Sequence, residues 1–165
     1  MKSNIFIISL IDSYGINLAR EVSMRVNFSF YNLSEALSLP KINCKTDLNK
    51  LAQNCNLIKI SNEQLQIINS LSEAVFYSNN FNLLSQNFLE KLKLTCAVVY
   101  VKHTKSDYLE SEWQQNINTA TKFKANLQVF ETRDKAYISC AEVVINGEEN
   151  IKATASKLIK KLEKL

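Results

Sequence analysis

Five short apolar runs, at residues 4–10, 28–32, 74–77, 95–101 and 141–145, constrain this chain more than any other feature, because each is too short for a helix and most are rich in β-formers. The first, Asn4 to Leu10, lacks polar alternation, the pattern of a parallel strand covered on both faces. Segments of helical period lie between the runs. Residues 16–26 place Ile16, Ala19, Val22 and Val26 on one face, and a further helix is predicted near 83–94. Leu33 to Leu39 reads as a helical turn ended by Pro40, and in the polar stretch 41–72 the expected core contacts are Leu48, Leu51, Leu65, Ile68 and Leu71. Residues 105–140 read as helical, with the polar section Gln114 to Lys124 expected to be mobile or to face solvent. Asn146 and Gly147 then turn the chain into a last helix, where Ile151, Ala155, Leu158, Ile159, Leu162 and Leu165 recur at helical spacing. Strands alternating with helices predict an α/β domain, a parallel sheet with helices on both faces.

At 165 residues and 46% hydrophobic content the chain can bury one core, so a single domain over residues 1–165 is expected. Only 2 Gly and 1 Pro are present, which leaves little material for a linker or for a ligand loop built from glycine. The 20 basic residues interleave with 16 acidic ones, and the densest basic stretch, Lys152 to Lys164, is the wet face of the terminal helix; no nucleic-acid partner is expected. Cys44, Cys55, Cys96 and Cys140 form no C-x-x-C pair, and His103 is the one histidine, so free buried thiols and no metal are expected. The apolar opening is short, is followed by Asp12 and lacks a small-x-small cleavage site, which makes it a strand and not a signal peptide. No stretch approaches the ~20 apolar residues of a membrane span, and a cytoplasmic protein without a membrane partner is the expectation.

Parallel sheets bind ligands at the C-terminal ends of their strands, so the loop from Ser9 to Asn17 is where chemistry is expected. From Asn4 to Leu37 the chain resembles, without a gap, the N-terminal segment of shikimate kinases. There a strand leads into G-x-x-x-x-G-K-[ST], then a helix containing an arginine, then a short strand ending in F-[IL]-D-x-D. Leu18 to Glu21 matches the helix start, and Phe30 to Leu37 the segment after the second strand. Ala97 to Val101 resembles the family's fourth strand. Arg133, Tyr137 and Ala141, preceded by Phe130, resemble its R-x-x-x-Y-x-x-x-A helix, and Glu142 to Asn146 continues the match. The resemblance covers roughly half of the chain. It implies a P-loop kinase-like fold, three layers with a five-stranded parallel sheet in the order 2-3-1-4-5.

The same overlay implies a phosphate loop that is degenerate across Ser9, Asp12, Ser13, Tyr14, Gly15, Ile16 and Asn17. Ser9 falls on the first loop glycine, Tyr14 on the second, Gly15 on the lysine and Ile16 on the magnesium-binding hydroxyl. Sliding by one residue puts Ile16 on the lysine and Asn17 on the hydroxyl, so neither register supplies a cation. Asp12 adds a carboxylate where a polyphosphate would sit. Arg133 falls on an arginine that holds the substrate carboxylate, a task suited to a guanidinium, and Lys59 lies near a second such position. The family's acidic substrate-binding pair falls on Asn32 and Ser34, and its G-G-G motif on Ser78, Asn79 and Asn80. The lid arginine belongs near Asn116 to Asn118, yet no arginine occurs between Arg25 and Arg133; Glu112 and Trp113 occupy the neighbourhood where the family contacts adenine.

The resemblance therefore implies a noncatalytic shikimate-kinase-like protein with a structural, regulatory or small-molecule-binding role and no cofactor. The alternative is a divergent active shikimate kinase, phosphorylating the shikimate 3-hydroxyl with ATP and Mg. A third reading is an α/β interaction module of other ancestry that docks a protein partner through Tyr14, Phe81 or Trp113. A monomer or weak homodimer is expected.

Overall fold

The computed structural model describes residues 2–33, 65–66, 68–79, 86–113 and 120–165. Five strands alternate with helices: β1 (Asn4–Ser9), α1 (Asp12–Val26), β2 (Ser29–Asn32), β3 (Ala74–Ser78), α2 (Gln86–Leu92), β4 (Cys96–Lys102), α3 (Lys105–Trp113), α4 (Ala120–Cys140), β5 (Val143–Asn146) and α5 (Ile151–Leu162). All strand pairs are parallel, and the sheet order is β2-β3-β1-β4-β5. The expected three-layer α/β/α architecture and strand order are those observed.

Alternate residues of the central strands feed two cores. Phe6, Ile8, Phe76, Val98 and Tyr100 face Phe88, Leu89 and Leu92 of α2 and Tyr137 and Cys140 of α4. Ile5, Ile7, Val75, Tyr77, Val99 and Val101 face Leu18, Ala19 and Val22 of α1 and Ala155, Leu158 and Leu162 of α5. Burial of each such side chain is worth about 1.5–3 kcal/mol, which is why a strand without polar alternation is stable only in the middle layer. Buried Asn4 makes this entry possible: its side chain donates to the Leu71 carbonyl at 2.8 Å and accepts from the Ala74 amide at 3.1 Å, replacing water at the foot of β1 and β3. Leu65 and Ile68 are buried and Leu71 packs against them, as expected, whereas Leu48, Leu51 and the turn from Ser34 to Pro40 lie outside the described residues.

Some boundaries differ from expectation. Helix α1 begins at Asp12, four residues before the periodicity requires it, because Gly15 reads as a breaker yet sits inside the helix with its amide on the Ile11 carbonyl at 2.9 Å. At its other end Asn27 takes the left-handed conformation, φ 58°, and its amide closes on Ser23. The predicted helical span 105–140 is described as α3 and α4, and residues 120–124, expected to be part of a mobile or exposed section, open α4. Among the described residues no helix is long and apolar enough to cross a membrane. Cys96 and Cys140 are buried free thiols; Cys44 and Cys55 lie outside the described residues.

Candidate functional site

Ser9 ends β1 with its side chain on the α1 and α5 side of the sheet, and it is 1% exposed. Its hydroxyl donates to the Ile11 carbonyl at 2.9 Å, accepts from the Ile11 amide at 3.1 Å and lies 3.2 Å from His103 Nε2. The hydroxyl thus ties down the tight connection through Leu10 and Ile11, after which α1 starts at once. Asp12 in the first turn suits the positive end of the helix dipole, and its Oδ1 accepts from the Tyr77 hydroxyl at 2.8 Å. Burial first, and Asp12 second, push the Tyr77 hydroxyl far above the ordinary phenol range, so it stays a neutral donor. A Cβ on Gly15 would lie 2.3 Å from Tyr77 Cε2 and 2.7 Å from Ser9 Cβ. Gly15 is therefore required by the ring of Tyr77, since its φ is not positive.

Tyr14 points the other way, toward the end of β5. Its hydroxyl donates to the Glu148 carbonyl at 2.7 Å, accepts from the Glu148 amide at 3.0 Å and lies 2.8 Å from Thr154 Oγ1. Its ring meets His103 edge to face, centroids 4.7 Å apart. His103 packs in turn on Gly147, where a Cβ would come within 2.4 Å of Cε1. Burial lowers the His103 pKa below 6.5, with Asp107 opposing. The side chains of Tyr14, His103 and Thr154 with the backbone of Gly147 and Glu148 thus close one side of the strand ends.

On the other side the described residues leave a cleft of about 210 Å³, lined by Ser9, Leu10, Asp12, Asn79, Tyr108, Ser111 and Arg133. Thr104 and Asp107 cap α3 reciprocally, the Asp107 amide on Thr104 Oγ1 at 3.1 Å and the Thr104 amide on Asp107 Oδ2 at 3.0 Å. These bonds hold the Asp107 carboxyl below its usual range and orient the turn that carries Tyr108 and Ser111. Tyr108 stacks at a tilt on Phe130 of α4, centroids 5.0 Å apart, and Tyr100 donates to Asp134 at 2.8 Å. Those two contacts bracket Arg133 in the sequence and set its helix against the cleft.

The residues singled out from the sequence divide accordingly. Ser9, Asp12, Asn79 and Arg133 meet at the cleft. Tyr14 and Gly15 are packing residues, Ile16 packs against the α1 core, and Ser13 and Asn17 are exposed. Ser78 is buried at the end of β3, Asn32 ends β2 half-buried, and Ser34, Lys59, Asn80, Phe81 and Asn116 to Asn118 lie outside the described residues. Tyr77, His103, Tyr108, Ser111 and Thr154 were not anticipated as site residues. The i, i+3 spacing of Tyr108 and Ser111 just after β4, which puts them on one helix face, is the one sequence signal that could have found them.

The sequence matches no family model and no curated protein. Solved structures do match. A shikimate kinase from Bacteroides thetaiotaomicron aligns over 99% of this chain and 99% of its own, with a TM-score of 0.82 and 14% identity. A shikimate kinase from Acinetobacter baumannii, solved in complex with shikimate, aligns over 99% and 94% with a TM-score of 0.76 and 13% identity. A dephospho-CoA kinase from Campylobacter jejuni aligns over 99% and 98% with a TM-score of 0.60 and 17% identity. At these identities the likeness is one of fold, and with its parallel 2-3-1-4-5 sheet this chain has the fold of the shikimate kinases and other P-loop kinases.

Proposed function

We propose that this chain is a shikimate-kinase-like protein that has lost ATP binding and phosphoryl transfer and acts without catalysis, holding a small carboxylate-bearing molecule at Arg133. The observation that carries this reading is the start of α1 at Asp12, with Leu10 and Ile11 alone separating it from β1. A phosphate cradle needs loop amides turned on the anion and space for the backbone to wrap it. Here the Gly15 amide is taken by Ile11 and the Tyr77 ring fills the space against Gly15. The Tyr14 and His103 plug supports the same reading.

The residues present do not fit Mg-ATP. Gly15 and Ile16 offer no ammonium and no hydroxyl in the places the family uses, and Asp12 would repel a polyphosphate at contact distance. Among the described residues that line the cleft, Arg133 is the one cation. Loss of a single electrostatic stabiliser costs a phosphoryl-transfer or acyl-transfer enzyme ~10²- to 10³-fold in rate, and several are replaced together. Arg133 keeps a guanidinium at a cleft with Ser9, Asn79 and Ser111, donors and acceptors suited to a hydroxylated acid.

Titration calorimetry with ATP and magnesium is expected to give no saturable heat, and a coupled assay with shikimate no ADP. Micromolar nucleotide affinity or shikimate-dependent ADP release would establish instead a divergent active kinase.

A further inference from the structure

We propose that the cleft between β1, α3 and α4 takes a zwitterion, a free α-amino acid, with its carboxylate at Arg133 and its ammonium at Asp12. This rests on the reading that the cleft holds a small carboxylate-bearing molecule, and it names the class. Asp12 and Arg133 line the same cleft of about 210 Å³. Among the described residues Asp12 enters no ion pair, and its one hydrogen-bond donor is the neutral Tyr77 hydroxyl on Oδ1. Its carboxylate lines the cleft, and no cation among the described residues pairs with it.

A cleft with opposite charges on its wall is complementary to a ligand that carries both charges, and it disfavours either charge alone. A simple carboxylate would leave Asp12 facing a polar group without a counter-charge. A phosphate would meet it as a like charge. An ammonium satisfies Asp12, a carboxylate takes the fork of Arg133, and Ser9, Asn79 and Ser111 supply further hydrogen bonds between them. Leu10 and Tyr108 give the apolar wall. The volume lies below that of drug-sized sites, as a single small metabolite requires.

The test is titration calorimetry of the full chain at neutral pH with the standard L-amino acids, then with the N-acetyl and amide forms of the best binder, with shikimate, and with Mg-ATP. Blocking either end is expected to weaken binding about ten-fold or more, the scale of a charge-assisted hydrogen bond. Asp12→Asn keeps an acceptor for Tyr77, so its melting temperature should stay close to the parent's while the free amino acid becomes no tighter than its N-acetyl form. Arg133→Gln should erase the difference between the free acid and its amide. If N-acetyl amino acids or shikimate bind as tightly as the free amino acid, the zwitterion inference is overturned and the carboxylate reading stands. If no amino acid binds, the inference is likewise overturned. Saturable binding of Mg-ATP would overturn the noncatalytic reading, whatever the amino acids do.

Discussion

Gly15 lies in the segment where a phosphate loop would place its glycines, yet it serves a different end. In a phosphate loop glycine serves a turn; here it is inside a helix, and what it provides is room for Tyr77. Gly15→Ala would add about 1 kcal/mol of helix propensity but drive a methyl into the ring, a clash that costs about 1–3 kcal/mol. Net destabilisation is expected in urea unfolding. The double variant with Tyr77→Leu should be less destabilised than the sum of the single changes, because the contact at 2.3 Å is then relieved. Additive losses would show that Gly15 is needed for something other than that ring. Ser9, Asp12 and Arg133 were candidates from the sequence because the overlay on shikimate kinases puts them in the phosphate loop and on the carboxylate-binding helix, whereas Tyr77 and His103 are indistinguishable from core aromatics until their neighbours are known.

Helix α5 holds the plug in place, since Thr154 sits on it and Glu148 precedes it. Its start depends on Asn150, whose side chain accepts from the Lys152 amide at 3.0 Å and the Ala153 amide at 3.3 Å. Removing those bonds with Asn150→Ala is expected to cost about 1 kcal/mol in urea unfolding, and a loss within a few tenths of zero would mean that water replaces the cap without penalty. Element boundaries were the weakest part of the sequence reading for a related reason. Periodicity locates a helix by its apolar face, but the first turn of α1 carries Asp12, Ser13, Tyr14 and Gly15, which show no such face. It is held instead by contacts with Tyr77 of β3 and with Glu148 and Thr154 beyond β5, all distant in sequence.

Two cores share one sheet, and His103 sits where the cleft and the closed side of the strand ends meet. Burial lowers its pKa from 6.5, so below that pH the unfolded chain binds a proton that the folded chain resists. Stability is therefore expected to be full above pH 6.5 and to fall as the pH drops toward the folded value. Asp107 and Glu131, whose pKa values are lowered from 3.8 by Thr104 and from 4.5 by Lys105, act in the same direction but further down. His103→Gln should flatten the decline just below 6.5 and leave the acid limb in place. A decline unchanged in that variant, followed by urea unfolding across pH, would assign the effect to other groups.

The order of strands and helices and the middle layer were legible in the chain, because they depend on local apolar pattern. What the tertiary structure decided is how the strand ends are filled. Whether a tyrosine plugs or lines a site depends on which distant segment it meets, and Tyr14 on Glu148 or Tyr77 on Asp12 are contacts across 134 and 65 residues that no local pattern encodes. Arg133 and Asp12 likewise come to line one cleft only when α4 packs on β4, α2 and α3.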